Sequence, residues 1–443
     1  MFRSSVVPRV GFMALDRNGW ALWIGMTGAF MSFCSEGTGL HQPLIIVGFS
    51  ARAAAQCALR AGFQTIVVDH CADRDLLAYC HDYRSLEDAG WVDWIEECYP
   101  GIPMLLAGGM EHRPNAVHAC QQHSNRGGCT GTQLVAMRCL ENWQRWALAS
   151  GLEWPFTWIK SDGIEELTSK RPSDRWLIKS KQGGGGMGIA EWNPHDTSFN
   201  LESVLQNPNL YLQQNRRGEP LGVTMLSSEY GSVVLGVASS LGQSTQSFMP
   251  KYTYRGSIGP VSLHEDQLAK LQQFAAMVAS DTGFVGLWQA DFLLDDRELT
   301  LLEINPRWSA SMEILDAMYD VRLVALHCAC CTRSITIDEW KEIEKKFSSQ
   351  LLMPCKRTMG KIVMYAKETL LVDNRQSDLW WMDRWQADSN SSGFQVADIP
   401  RSGTKIDAGQ PIMTCIATGT SLQNVHSQFE KIDFIESMGN GKM

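Results

Sequence analysis

The sequence predicts a multidomain chain of α/β and α+β class. Three observations carry that expectation. An apolar strand–helix–strand unit runs from Pro43 to Asp69, two later hairpins turn on a glycine run and on an acidic tetrad, and glycine-punctuated short strands fill the C-terminal part. At roughly 100–200 residues per domain, 443 residues leave room for several cores. The expected layout is an extension over 1–41 with no fold signal, a small open α/β domain over 42–128, a central domain of two α+β subdomains over 129–345, and a small β-rich domain over 346–443.

The elements follow in order. Leu44 to Gly48 is a short apolar run ending in glycine, the pattern of a buried parallel strand. Ala51 to Ala61 is alanine-rich and stops at Gly62, which suits a helix C-cap. Gln64 to Asp69 reads as the second strand of a βαβ unit, and Pro103 to Ala107 as another strand ahead of Gly108-Gly109. Gly131 to Gly151 spaces Leu134, Met137, Leu140 and Trp143 as one amphipathic helix. Pro155 makes 152–157 a connector. Arg175 to Ser180 is a strand, and 209–241 alternates strands with turns at Gly218-Glu219-Pro220 and Tyr230-Gly231. A helix follows from His264 to Thr282, closed by Gly283. Leu287–Leu294 and Leu299–Ile304 pair as strands, and Ser311 to Cys331 reads as one helix. Gly360–Leu371 and parts of Ala397–Thr418 are strands, and Val425–Met438 is a closing helix.

Composition excludes some partners. The net charge is −9 and no basic run appears, which argues against a nucleic-acid backbone as ligand. A pocket can still be locally basic on an acidic protein. The apolar stretch from Trp20 to Phe33 is too short to span a bilayer, so no membrane partner is expected. The 13 cysteines are scattered and odd in number, with Cys328, Cys330 and Cys331 in an apolar helical stretch. They read as free thiols of a cytoplasmic protein.

Two constellations carry chemistry. In the first, Lys179 stands at the end of a strand and is followed by Gly183, Gly184, Gly185, Gly186 and Gly188 before a second strand. Glycines let backbone N–H groups approach phosphate oxygens, and a lysine there adds a point charge. No Gly-Lys-Ser/Thr ends the run, so it is not a Walker A loop. In the second, Asp291 and Glu303 lie on two strands joined by Asp295-Asp296-Arg297-Glu298. Alternation along strands puts them side by side on one face with Asn305. Two adjacent carboxylates repel unless a cation lies between them, and three oxygens on one face suit Mg²⁺ or Mn²⁺. Arg307, after Pro306, is placed to stabilise charge on a transferred phosphoryl group.

Together, in this order, these motifs resemble the ATP-grasp superfamily, whose members include biotin carboxylase, carbamoyl-phosphate synthetase and D-alanine–D-alanine ligase. A looser likeness, through Asp398-Ile-Pro-Arg-Ser-Gly403 and Gly409-Gln-Pro411, is to tyramine–glutamate ligase of methanofuran biosynthesis. The resemblance implies a small α/β domain ahead of an ATP-grasp domain of two α+β subdomains. It implies ATP and Mg²⁺ as cofactors, a small-molecule carboxylate and an amine as partners, and allows a homodimer. Lys179 would bind the α/β-phosphates, Gly183 to Gly188 would close over the γ-phosphate, Asp291, Glu303 and Asn305 would hold the metal, and Arg307 would assist an acyl-phosphate. Gln213 and Gln214 fall in the hinge that meets the nucleoside, where the family often has an acid for the ribose. No lysine lies upstream of the glycine hairpin near Thr132; Arg138 is the nearest cation there. The activity implied is carboxylate–amine ligation, with bicarbonate phosphorylation or non-catalytic nucleotide binding as alternatives.

The turn at Gly48-Phe49-Ser50-Ala51-Arg52 offers Ser50 and Arg52 to a substrate carboxylate, or is a structural turn. Lys251, Tyr252 and Arg255 lie in a loop expected to line the acceptor pocket. His112, His118 and His123 lie in a polar loop with only a weak claim to a metal.

Overall fold

The computed structural model describes residues 42–122, 128–159, 175–193, 206–242, 249–383 and 394–437. The expected extension over 1–41 lies outside them. Four strands, β1 (Pro43–Gly48), β2 (Gln64–Asp69), β3 (Asp82–Ser85) and β4 (Met104–Leu106), form a parallel sheet in the order β3-β2-β1-β4. Ile45 is opposite Ile66 and Met104, so the buried apolar runs read from the sequence stack rung on rung. The helix Arg52–Arg60 crosses from β1 to β2, and Gly62 beyond it has φ +87°.

A second sheet is antiparallel, ordered β5-β8-β6-β7, from β5 (Thr157–Trp158), β6 (Trp176–Ser180), β7 (Ala190–Trp192) and β8 (Leu210–Gln214). Trp176, Ile178, Trp192 and Leu212 make its own small core. The largest sheet has eight strands. These are β9 (Glu219–Ser228), β10 (Gly231–Ser240), β11 (Gly256–Gly259), β12 (Gly286–Asp295), β13 (Glu298–Asn305), β14 (Thr358–Tyr365), β16 (Phe394–Ala397) and β18 (Pro411–Gly419). Their order is β13-β12-β9-β10-β11-β14-β18-β16, and β15 (Leu370–Leu371) pairs separately with β17 (Lys405–Ile406). The sheet is continuous across residue 346, because β14 and β18 extend it from β11. Phe274, Trp288 and Phe292 pack under it with ring centroids 5.8–6.1 Å apart.

Some helices are shorter than the periodicity predicts. Gly131–Gly151 is two helices, Gly131–Met137 and Leu140–Ala149, broken at Arg138 and Cys139. Ser311–Cys331 is likewise two, Met312–Met318 and Leu323–Cys331, with Asp320 between them at φ +47°. Hydrophobic spacing persists across such breaks, so the pattern alone does not reveal them.

Arg52 corrects the expectation of a substrate contact at the β1 turn. Its side chain is fully buried. Its Nε donates to Asp398 at 2.7 Å, and it also pairs with Glu313, which Lys361 approaches at 2.7 Å. Asp75 in turn accepts from the backbone N–H groups of Asp398 and Ile399. A guanidinium so enclosed joins distant segments and faces no ligand.

The twelve described cysteines are free. Among the described residues, no helix is long and apolar enough to cross a membrane.

Candidate active site

The acidic hairpin is built as its alternation requires. Asp291 and Glu303 are directly opposed across β12 and β13. The next pair is Phe292 with Leu301, so Leu302 is an extra residue, a bulge on β13. The bulge lets Leu302 and Glu303 both face the cavity while Leu301 is buried in the core. Asn305 donates from Nδ2 to Asp291 at 2.9 Å and to Glu303 at 3.3 Å. Gln289 donates to the other Asp291 oxygen at 2.7 Å and is itself held by Ser311.

Two opposed carboxylates in one buried place cannot both stay ionised cheaply. Burial, then the charge of Glu303, push the Asp291 carboxyl up to about 8. Burial opposes ionisation of Glu303 too, but Arg138 at 3.7 Å and Lys179 outweigh it and hold Glu303 below the usual carboxylate range. Burial and the neighbouring charge thus favour a protonated Asp291 beside an ionised Glu303, and a divalent cation would take that proton's place. The donor set fits a hard cation: two carboxylates, plus the Asn305 amide once its oxygen turns from Arg307 toward them.

Lys179, next to last in β6, lines the same cavity and donates to Gln213 at 3.1 Å. The glycine hairpin between β6 and β7 is docked rather than loose. Tyr254 donates its backbone N–H to the Gly185 carbonyl at 2.9 Å. Gly186 has φ +73°, and a Cβ there would lie 1.7 Å from the Tyr252 carbonyl oxygen. A Cβ on Gly184 would lie 3.1 Å from His112 Nε2. Arg138 donates to the Gly183 carbonyl at 3.1 Å. The hairpin tip thus touches both the loop leading into β11 and the N-terminal domain.

Arg307 lies where β13 leaves the sheet. The next residue, Trp308, donates its N–H to Leu106 of β4 at 2.8 Å, so the N-terminal sheet fixes this corner. Arg307 donates to Glu111 at 2.6 Å, Asn305 at 3.2 Å and Ser309 at 2.9 Å. Burial would raise the Glu111 carboxyl, but Arg307 outweighs it and holds it at about 2. Arg307 Nε and Glu111 Oε2 remain buried without hydrogen-bond partners.

These groups surround a cavity of about 910 Å³. Lys179, Gly183 to Gly186, Gln213, Gln214, Asp291 and Glu303 line it, as do Arg138, Lys251, Tyr252 and Arg255. Of the sequence-predicted residues, Gly188 does not line the cavity, and Asn305 and Arg307 lie just behind the carboxylates. Ser50 and Arg52 do not join them. His123 lies outside the described residues, and among those described no three His, Cys, Asp or Glu converge on a metal position. Sequence reasoning missed Glu111. It follows Gly109-Met110 with no motif of its own, and only the fold brings it to Arg307.

A family model described as an ATP-grasp domain matches residues 147–311. No curated protein sequence matches the chain. Solved structures do match over most of it. An L-amino acid ligase from Bacillus licheniformis has a TM-score of 0.64 at 15% identity, covering 89% of this chain and 98% of that one. An N5-carboxyaminoimidazole synthase from Aspergillus clavatus, in complex with ADP and aminoimidazole ribonucleotide, has 0.64 at 12%, covering 90% and 99%. The biotin carboxylase domain of 2-oxoglutarate carboxylase from Hydrogenobacter thermophilus, with MgADP and bicarbonate, has 0.63 at 13%, covering 89% and 90%. At these identities the likeness is one of fold. Residues 147–311 thus match an ATP-grasp domain, and the fold over most of the chain is similar to that of these structures.

Proposed function

We propose that this protein is an ATP-dependent ligase that joins a small-molecule carboxylate to an amine through an acyl-phosphate. The observation that carries the reading is the opposed pair Asp291–Glu303 beneath Lys179 and the docked glycine hairpin, with Arg307 at the edge. A binder needs charge for the phosphates, whereas the further cation Arg307, held by Glu111 and Asn305 behind the carboxylates, supports transfer of a phosphoryl group.

The substrate carboxylate attacks the γ-phosphorus of ATP. The bond to the β–γ bridging oxygen breaks, ADP leaves and an acyl-phosphate forms. The amine nitrogen then attacks the acyl carbon, loses a proton and expels phosphate, leaving an amide. Asp291, Glu303 and the Asn305 amide would hold Mg²⁺, which supplies positive charge to the phosphate oxygens when bound. Lys179 orients the phosphates. Arg307 faces charge that develops on the transferred group, and its partner Glu111 fixes its direction. The hairpin excludes water, which would otherwise hydrolyse the acyl-phosphate.

Bicarbonate as the phosphorylated acid is the second reading, favoured by the shared fold of the biotin carboxylase domain. A place in one-carbon cofactor biosynthesis rests on the looser likeness of the Asp398–Pro411 segment alone. ADP release from Mg-ATP, measured across carboxylates, amines and bicarbonate, tests the assignment. Release requiring one acid and one amine, and lost in Lys179→Ala, is expected. Release with bicarbonate alone moves the assignment to a carboxylase. A folded Glu303→Ala protein with normal turnover sinks both.

A further inference from the structure

One end of the cavity carries charge that ATP does not explain. The roof is the small antiparallel sheet, and its register decides which side chains face down. Lys179 is opposite Tyr211, Leu177 opposite Gln213, and Leu177 also opposite Glu191 on β7. All of these line the cavity, while Trp176, Ile178 and Leu212 between them are buried on the other face. Side chains alternate along a strand, so the row continues to the residues two further on. Those are Arg175 on the β6 side and Asn215 on the β8 side, joined by the Asn215 N–H donated to the Arg175 carbonyl at 2.8 Å. Arg217 follows Asn215 by another two residues. Arg175, Asn215, Arg216 and Arg217 all line the cavity.

This end lies away from the phosphate end. Four residues of strand separate Arg175 from Lys179, about 13 Å at roughly 3.3 Å per residue. That is beyond the screening length of about 8 Å at physiological salt. Phosphates held at Lys179 and the glycine hairpin do not reach it, and an adenosine laid toward the hinge is neutral. Among the described residues none of the three arginines makes a side-chain hydrogen bond or ion pair, and Arg175 acts on Glu191 only at longer range. The nearby carboxylate, Glu191, is already taken by Lys251 and by the Tyr252 hydroxyl, each at 2.6 Å. Asn215 donates to that same hydroxyl at 3.2 Å, which holds its side chain at the wall between the arginines. Around the whole cavity, eight Lys or Arg side chains face three carboxylates, on a chain whose net charge is −9. The excess is local, and it marks a ligand rather than the general character of the surface.

We propose that Arg175, Arg216 and Arg217 form an anion subsite at the hinge end of the cavity, which receives a phosphate-type group separate from the triphosphate of ATP. The planar fork of arginine suits tetrahedral oxyanions, and three of them suit a dianion better than a single carboxylate. The group comes from one of two sources, a phosphate on the ribose of the nucleotide or a phosphate carried by the second substrate. The subsite rests on the nucleotide reading of the cavity.

Calorimetry with Mg²⁺ present, on wild type and on the Arg175→Ala/Arg217→Ala double variant, tests it. Both residues are exposed and neither touches the phosphate end, so ADP is expected to bind both proteins within about twofold. If the ribose is the source, 2′- or 3′-phospho-ADP binds wild type about tenfold or more tightly than ADP, and the variant loses that advantage. If the second substrate is the source, inorganic pyrophosphate binds wild type already saturated with a non-hydrolysable ATP analogue, and not the variant. Identical behaviour of both proteins toward all of these ligands overturns the subsite. Failure of wild type to bind ADP at all overturns the nucleotide reading beneath it, and the subsite with it.

Discussion

At the scale of single residues, Gly186 shows how the site depends on backbone approach. Its positive φ and its place against the Tyr252 carbonyl leave no space for a methyl group. Gly186→Ala should lift the hairpin from that seat. ADP release is expected to fall roughly 10- to 100-fold, the effect of an ångström-scale misplacement, with the far-UV spectrum unchanged. Undiminished release would mean that the docked hairpin is not the working position. The residues of this site differ in how far the sequence reveals them. Asp291, Glu303, Asn305 and Arg307 are legible because one hairpin carries them and strand alternation fixes their faces. Lys179 and the glycines are legible for the same local reason. Glu111 and the seat of Arg138 are not, since they reach the site through packing between segments far apart in the chain.

At the scale of elements, helix breaks and bulges do what periodicity does not foretell. The break at Arg138 leaves carbonyls that side chains satisfy: Asn142 donates to Ala136 and the Trp143 indole to Met137. Outside the helix at φ −103°, Arg138 lies over the Trp143 ring, 5.2 Å from its centroid, and turns to the hairpin. A continuous helix, as the apolar spacing suggests, would carry it elsewhere. The long strands of the larger sheets were more legible, because short apolar runs bounded by glycine leave few other choices. The β7 strand is tied across the cavity by Glu191 to Lys251 and Tyr252. Such an exposed link contributes little to global stability, typically under about 1 kcal/mol. Glu191→Ala should therefore leave the thermal midpoint nearly unchanged while proteolysis within the glycine hairpin quickens. Equal cleavage rates would show that the link does not restrain the hairpin.

At the scale of the molecule, Arg52 joins the N-terminal domain to Glu313 of the central part and Asp398 near the C-terminus. Removing one partner of a buried ion cluster leaves the others unpaired, so Arg52→Ala should cost about 3–5 kcal/mol in denaturant unfolding. A loss below about 1 kcal/mol, the range of surface pairs, would count against the clamp. The cluster also sets an acid limit. Burial opposes the charge on Glu313, but Arg52 and Lys361 outweigh it and hold this carboxyl well below its usual range. Asp398 is held down by Arg52 against burial in the same way. A carboxyl with a lower folded than unfolded value stabilises the fold above the unfolded value, about 4, and ceases to as pH falls through the folded one. Unfolding free energy should thus decline as pH drops below about 4, and less steeply in Glu313→Gln. Equal slopes in the two proteins would remove Glu313 from the account. None of this was legible in the sequence, where Arg52 follows a strand as a ligand-binding arginine would.

The same arginine has a consequence for biosynthesis. Its partner Asp398 lies 346 residues later. At about 5–20 residues per second, a ribosome takes roughly 17–70 s to make that stretch. Through that interval Asp75, at 3.8 Å, is the guanidinium's partner from the N-terminal domain itself, while Glu313 and Asp398 and the helix Leu323–Cys331 that packs on Arg52–Arg60 are still to come. Full enclosure of that guanidinium thus waits until the chain carrying Asp398 has emerged.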